Sequence, residues 1–418
     1  MDTFTIEGGQ ALNGTLAISG CKNAATPILA ATLLTDEPCV VRNVPVVADV
    51  ARLLDLLRSL GASVAQDGTT VTITAKNIRL ESVDEKTVQS MRSSILLLGP
   101  LLARVHEVRM PQPGGCIIGN RPIDYHLMAF EQLGATATQD VRLIHLRAAQ
   151  LRAAHVVFPN FSVTATENVL MAAATAPGTS VIDIAAAEPH VQDLCHFLIA
   201  MGAQISGIGT HQLTVTGVAK LHGAEYTIIP DPIEAGTFAI AAATTRGKVR
   251  LRGVVPDHLN LVLFTLRQAG VNLTVEGHDL VIQPSAKLRA FKFQSMPYPG
   301  LPTDLQAPFG VLATQAEGTS MIHDPIYEGR MGYIQELIRL GANAVVCDPH
   351  RVLITGPTPL YGEHIRSFDL RAGATLIIAG LIAQGQTIID DAQTVDRGYE
   401  RIEERLRLLG ARITRQTV

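Results

Sequence analysis

Ser59-Leu60-Gly61-Ala62-Ser63-Val64, SLGASV, is a phrase that the chain repeats. It returns as QLGATA at 132–137, AMGAQI at 200–205, QAGVNL at 268–273, RLGANA at 339–344 and LLGARI at 408–413. The six glycines lie about 70 residues apart and fill the 418 residues, and a fixed period of this kind is read before any single motif. Each copy has one grammar. An amphipathic helix precedes the glycine; in the first copy Val50, Leu53, Leu54, Leu57 and Leu60 recur at spacings of three and four. The glycine stands where a helix end needs a left-handed residue. Short β-branched runs split by a turn follow, as in Ser63–Gln66, Asp67-Gly68 and Thr70–Thr74, or Asn343–Cys347 and Arg351–Thr355.

A second and more apolar helix leads each copy: NAATPILAATLL from Asn23, SSILLLGPLLA from Ser93, ENVLMAAATA from Glu167, EAGTFAIAAATT from Glu234, LQAPFGVLATQA from Leu305 and AGATLIIAGLIA from Ala372. Apolar nearly all round, these helices are expected inside, with the amphipathic ones covering the outer sheet faces. Short strands such as Pro38–Arg42 and Lys248–Arg252 come next. The unit is helix, strand, helix, strand, strand, with a further strand at its start. Six units exceed one ordinary core, so two domains of three are expected, with a crossing in Gln212–Asp231 and a cleft suited to a closing active site. The opening stretch Phe4–Ser19 reads as two strands around Asn13-Gly14 that complete the last unit.

Net charge is −4 and the isoelectric point about 6.4, which leaves no basic face for nucleic acid. Anionic ligands would need cations gathered locally. Five cysteines, widely spaced and without a CxxC, argue against a disulfide framework and structural zinc and fit a reducing cytoplasm. MDTFTIEGG lacks the basic and apolar regions of a signal peptide. The apolar runs Ile95–Ala103 and Ala374–Ala383 are too short to span a bilayer. The expectation is a soluble cytoplasmic protein.

Pro111–His126, PQPGGCIIGNRPIDYH, is the segment richest in chemistry. Two glycines make it a loop, and its thiol, Cys116, stands five residues before Arg121, a cation that favours the thiolate. It is either a reactive group or a loop cysteine of no consequence. Lys22-Asn23 opens the first inner helix, where free amides favour anions; the alternative is a solvated lysine. Arg92 and Arg371 hold the corresponding places before the second and sixth inner helices, and Arg397 is read at the start of the last outer helix. Cations at helix starts run against the helix dipole, which an anionic ligand would offset. Asp304, in GLPTDLQAPF, is an N-cap or a general base, and its position favours the cap. His190 and His196 lie in EPHVQDLCHF, an outer helix without an HExxH core, and no GK[ST] follows Gly114-Gly115. Metal and nucleoside-triphosphate chemistry are not expected.

Together GCKNAATPILAATLL, PGGCIIGNRPIDYH, LPTDLQAPF and TVDRGYERIEERLRLLGA resemble the signature segments of the UDP-N-acetylglucosamine 1-carboxyvinyltransferase family, along the whole chain. The resemblance implies an α/β fold, a two-domain inside-out α/β barrel of six βαβαββ units, three per domain. The domains would be 22–229, and 1–21 plus 230–418. It implies transfer of the enolpyruvyl group of phosphoenolpyruvate to the 3-hydroxyl of UDP-N-acetylglucosamine, the first committed step of peptidoglycan precursor synthesis. No cofactor or metal, no nucleic acid and no membrane is implied, and the expected state is a monomer or weak homo-oligomer. Cys116 would protonate the methylene carbon and be the target of the epoxide fosfomycin. Asp304 would orient and deprotonate the hydroxyl. Lys22, Arg92, Arg121 and Arg397 would surround phosphate and carboxylate, with Arg371 supporting the phosphate side. Asn23 and the run Arg121, Pro122, Ile123, Asp124 and Tyr125 would meet the sugar nucleotide, the run on its uracil side; Ser162 and Thr164 would lie near the diphosphate, and Asp304 with Ile326 at the sugar.

The chain departs from the family pattern in SVTAT for SVGAT, which puts Thr164 where glycine is usual. PDPIEAGTF carries Pro232 in place of a basic residue, and EGRMG carries Gly329 in place of an asparagine. These changes leave room for two other readings. One is a same-fold transferase using another acceptor, a uridine nucleotide or shikimate 3-phosphate. The other is a non-catalytic sugar-nucleotide-binding homologue.

Overall fold

The computed structural model describes residues 2–80, 84–114, 118–119 and 121–417. All six repeat glycines adopt positive φ, from 82° at Gly270 to 103° at Gly341, a region costly for any residue with a Cβ. Each closes its helix in the same way. In the first copy the Gly61 amide donates to Arg58 and the Ala62 amide reaches back to Leu57, at 2.9 and 3.0 Å. The pair recurs as Gly134/Ala135, Gly202/Ala203, Gly270/Val271, Gly341/Ala342 and Gly410/Ala411, so the phrase encodes a Schellman stop. The helices it stops are Ala48–Ser59, Asp124–Gln132, Pro189–Ala200, Asn260–Gln268, Tyr333–Arg339 and Ile402–Leu408.

The strands form six small sheets, and among the described residues none closes into a barrel. The third unit shows the pattern. His155–Val157 runs parallel to Thr179–Asp183, which pairs antiparallel with Gln212–Thr216 of the hairpin Gln204–Ser206/Gln212–Thr216. With the helices Val163–Ala173 and Pro189–Ala200 between them, this is βαβαββ. The second unit has three described strands.

The opening strands are shared out differently from the expectation. Asp2–Glu7 does complete the last sheet, between Gln386–Asp390 and Arg412–Thr417. Asn13–Ala17 instead opens the fourth, parallel to Lys248–Arg252, and Glu225–Thr227 opens the first, parallel to Cys39–Arg42. A parallel partner needs a long crossover, and here long intervening stretches of the chain supply it.

The chain divides into two compact units, Met1–Ser19 with Ile117–Asn120 and Pro230–Val418, and Gly20–Cys116 with Arg121–Ile229. In the first, the inner helices Pro232–Thr244, Gln306–Thr314 and Leu370–Ile382 pack on one another and are buried almost throughout. Asp231 and Asp369 cap two of them by accepting from first-turn amides. Pro232 occupies the first helical position, where its missing N–H costs nothing, so this departure leaves the helix intact. In the second unit the inner helices are Lys22–Ala31, Leu98–Val105 and Val163–Ala173. Among the described residues no helix is long and apolar enough to cross a membrane.

Candidate active site

The unit containing residues 20–114 and 121–229 carries three of the five expected cations, Lys22, Arg92 and Arg121, while Arg371 and Arg397 belong to the other. Lys22 and Asn23 open the helix Lys22–Ala31, whose N-cap Cys21 makes no side-chain cap bond. Lys22 Nζ lies 3.3 Å from the buried carboxylate of Asp49, which also holds Arg52 at 3.2 Å. Arg92 begins the 3-10 turn Arg92–Leu97, and its Nη2 donates to the Arg121 carbonyl at 2.5 Å and to Pro122 at 3.4 Å. The RPID segment is thereby tied to Arg92. Ile123 is buried and caps the helix that Asp124 and Tyr125 begin.

Ser162 is the N-cap of Val163–Ala173 and makes no side-chain cap bond. Thr164, half-buried in that first turn, is bonded through its hydroxyl to His126 Nε2 at 2.9 Å. The buried amide of Asn168 secures the arrangement. It accepts from Gly99 N–H at 2.7 Å and donates to Ile95 and Thr164 carbonyls at 3.1 and 2.9 Å. The segments bearing Arg92, Arg121 and Thr164 are therefore cross-tied by hydrogen bonds.

The other unit is organised on Asp304. It sits in the turn Thr303–Leu305 just before Gln306–Thr314 and caps neither, contrary to what its position favours. Its carboxylate is claimed by two arginines instead. Arg330 Nη2 meets Oδ1 at 2.7 Å; Arg371 Nε and Nη2 meet Oδ2 at 3.0 and 2.9 Å. Burial is the largest influence on both guanidiniums and opposes their charge, yet Asp304 together with Asp369, Tyr327 and Asp324 around Arg330, and with Tyr399 and Asp231 around Arg371, holds both above their ordinary pKa. The Arg371 guanidinium also lies 5.1 Å from the centre of the Tyr399 ring, whose hydroxyl meets Thr237 at 2.8 Å. Arg397 ends the 3-10 turn Ala392–Arg397, five residues ahead of the helix Ile402–Leu408 at whose start it was expected.

Ile326, half-exposed, is fixed by its N–H to Asp324 Oδ1 at 3.0 Å. The other Asp324 oxygen takes the hydroxyl of Thr303, next to Asp304. Gly329 has a reason to lack a side chain. Its N–H bonds the Ile118 carbonyl at 3.0 Å, and a Cβ there would come within 2.7 Å of the Ile118 carbonyl carbon.

Cys116 lies outside the described residues. Of the other cysteines, Cys21, Cys39 and Cys195 are buried and Cys347 is exposed; burial pushes the Cys195 thiol up to about 12. Sequence reasoning missed Arg330 and His126. Both stood inside quoted motifs, EGRMG and RPIDYH, without being singled out, because nothing local says that they bond to Asp304 and Thr164.

Residues 6–406 match the family model described as EPSP synthase (3-phosphoshikimate 1-carboxyvinyltransferase), and the chain belongs to this family of enzymes. Its full-length relatives are more particular. Proteins named UDP-N-acetylglucosamine 1-carboxyvinyltransferase from Koribacter versatilis (strain Ellin345) and Methylacidiphilum infernorum (isolate V4) are each 45% identical over 99% of this chain, and over 96% and 99% of their own lengths. One from Magnetococcus marinus is 43% identical over 99% of both. Among solved structures, the enolpyruvyl transferase NikO from Streptomyces tendae superposes with a TM-score of 0.89 at 26% identity, covering 100% of this chain and 99% of that one. An EPSP synthase from Acinetobacter baumannii, at 20% identity and a TM-score of 0.76 over the whole of both chains, shares the fold.

Proposed function

We propose that this chain transfers the enolpyruvyl group of phosphoenolpyruvate to the 3-hydroxyl of UDP-N-acetylglucosamine, releasing phosphate, as the first committed step of peptidoglycan precursor synthesis in the cytoplasm. The observation that carries the reading is 45% identity, over 99% of the chain, to enzymes bearing that name. In the addition step the sugar O3 bonds to C2 of phosphoenolpyruvate while C3 gains a proton. In the elimination step C3 loses a proton, the bond from C2 to the phosphate oxygen breaks, and phosphate leaves.

Phosphoenolpyruvate carries close to three negative charges, and Lys22, Arg92, Arg121 and Arg397 are the cations assigned to it, with Arg371 supporting the phosphate side. Asn23 and the run Pro122, Ile123, Asp124 and Tyr125 take the sugar nucleotide, the run on its uracil side; Ser162 and Thr164 take the diphosphate and Ile326 the sugar. Cys116 is the acid for C3 and the fosfomycin target.

Asp304 receives the 3-hydroxyl. Arg330 and Arg371 hold its carboxylate in place, and an ionised carboxylate is a hydrogen-bond acceptor only. It therefore accepts the hydroxyl's hydrogen bond in the ground state and its proton only as the O3–C2 bond forms.

The test is phosphate release from phosphoenolpyruvate with a panel of acceptors. Turnover with UDP-N-acetylglucosamine is expected. Turnover with UMP or shikimate 3-phosphate and none with the sugar nucleotide would overturn the assignment; no turnover with any acceptor would favour the non-catalytic homologue.

A further inference from the structure

We propose that Arg415 is a positioning residue for Arg397, acting by engaging both oxygens of the neighbouring Asp396 and so keeping that carboxylate out of the phosphoenolpyruvate site. The inference rests on the reading above, in which Arg397 meets phosphoenolpyruvate.

Arg415 stands on the last strand, Arg412–Thr417, opposite Phe4 of Asp2–Glu7. Paired residues share a face of the sheet, and Phe4 and Ile413 are buried on this one. The period of two therefore turns a charged side chain inward where an apolar one is expected. Its guanidinium carbon lies 5.6 Å from the centre of the Phe4 ring, and the side chain is only 22% exposed. Nη1 and Nη2 meet Oδ1 and Oδ2 of Asp396 at 2.8 and 2.6 Å, a fork-to-fork pair. Asp2 takes Nε at 2.9 Å and also Nη2, and Glu403 Oε1 lies 3.8 Å from Nη1. The bond to Asp396, joined by that to Asp2, outweighs partial burial and raises the guanidinium's pKa above its ordinary value.

Arg397 lies between anchored neighbours. Asp396 precedes it. Gly398 follows and brings the backbone against the start of the inner helix Leu370–Ile382, where a Cβ would stand 2.5 Å from Leu370 Cδ1 and 3.7 Å from Arg371 Nη1. Tyr399, buried, comes next, with its hydroxyl on Thr237 at 2.8 Å and its amide on the Val395 carbonyl at 3.0 Å. Arg397 thus leaves the chain beside Arg371, which holds Asp304. A carboxylate one residue away is a hazard at such a place. It can draw the Arg397 guanidinium to itself or repel an incoming ligand of nearly three negative charges. The Arg415 fork compensates that charge and fixes where it points.

The test is steady-state kinetics and thermal melting of the whole protein and of its variants. Arg415→Met releases the Asp396 carboxylate. It should raise KM for phosphoenolpyruvate about tenfold, the size of one hydrogen bond to a charged group, with kcat little changed. Calorimetric binding of UDP-N-acetylglucosamine should stay as in the parent. Adding Asp396→Asn removes the released charge and should return KM to within about twofold of the parent, although the melting temperature stays low. Asp2→Asn, which weakens another bond of the same guanidinium, should lower the melting temperature and leave KM alone. Arg415→Lys keeps a charge without the fork and carries the test in milder form, with a rise in KM of about threefold, should the methionine protein fail to fold. An unchanged KM in the Arg415 variants, a double variant as impaired as Arg415→Met, or sugar-nucleotide binding that weakens in step with KM would overturn the proposal while leaving the enzyme reading intact. Failure of the parent itself to consume phosphoenolpyruvate with UDP-N-acetylglucosamine would remove both.

Discussion

Replacing Asp304 by asparagine removes the charge that two buried cations share. The side chains of Arg330 and Arg371 are only 10% and 4% exposed, so water cannot take over from the carboxylate. Breaking a buried pair from one side costs roughly 3–5 kcal/mol, because a desolvated charge is left behind. Here the lower figure applies. Arg330 also feels Asp369 and Asp324, and Arg371 feels Tyr399 and Asp231. The asparagine oxygen still serves one guanidinium, while its NH2 group confronts the other, donor against donor. A loss of about 3 kcal/mol in a unit of this size lowers its melting temperature by about 6–12 °C. Scanning calorimetry should show one transition falling by that amount with the other little changed. Adding Arg371→Met removes one stranded cation and should recover part of the loss. An Asp304→Asn protein melting within about 2 °C of the parent, or a double variant less stable than the single one, would refute the reasoning.

Gly61→Ala and Gly410→Ala share nearly the same positive φ but differ in surroundings. A Cβ at Gly61 would stand 2.5 Å from the Asn77 carbonyl oxygen, whereas at Gly410 it would meet nothing within 4 Å. Denaturant titration should give about 1–2 kcal/mol for Gly410→Ala, the backbone cost alone, and clearly more for Gly61→Ala. The Asp193 carboxyl is raised to about 6, mainly by burial, against the opposing bonds from Tyr226 and Ile229. It binds its proton more tightly folded than unfolded, so its contribution to stability is present below about pH 4 and is lost as pH rises to about 6. Asp193→Asn should flatten that part of the stability–pH curve, and an unchanged slope would count against the assignment. Asn168→Ala leaves the buried Gly99 N–H without its partner and removes a second donor from two carbonyls that keep their helical bonds, with an expected loss of about 1–3 kcal/mol measured by denaturant.

Much of the fold was legible because it is written six times. One positive-φ glycine ends each outer helix, and the Asp67-Gly68 turn and its counterparts set the hairpins; both signals are local. The origin of the opening strands was not legible. Asn13–Ala17 and Glu225–Thr227 are short polar-flanked segments whose partners lie far along the chain, and nothing in their own residues names the sheet they join. The candidate site divides in the same way. Lys22, Arg92, Arg371 and Asp304 stand at inner-helix starts that periodicity locates. The cap reading of Asp304 failed because a local preference was outweighed by two long-range ion pairs. His126 was hidden for a similar reason, since its meaning depends on Thr164, 38 residues away.

The central claim is a carbon–oxygen bond at one position of one acceptor. The most direct measurement is the carbon and proton spectrum of UDP-N-acetylglucosamine after incubation with the enzyme and phosphoenolpyruvate, with phosphate measured in the same sample. The account predicts a vinyl ether on the sugar O3 and one phosphate for each one formed. A sugar nucleotide recovered unchanged, or carrying the group on any other oxygen, would contradict it.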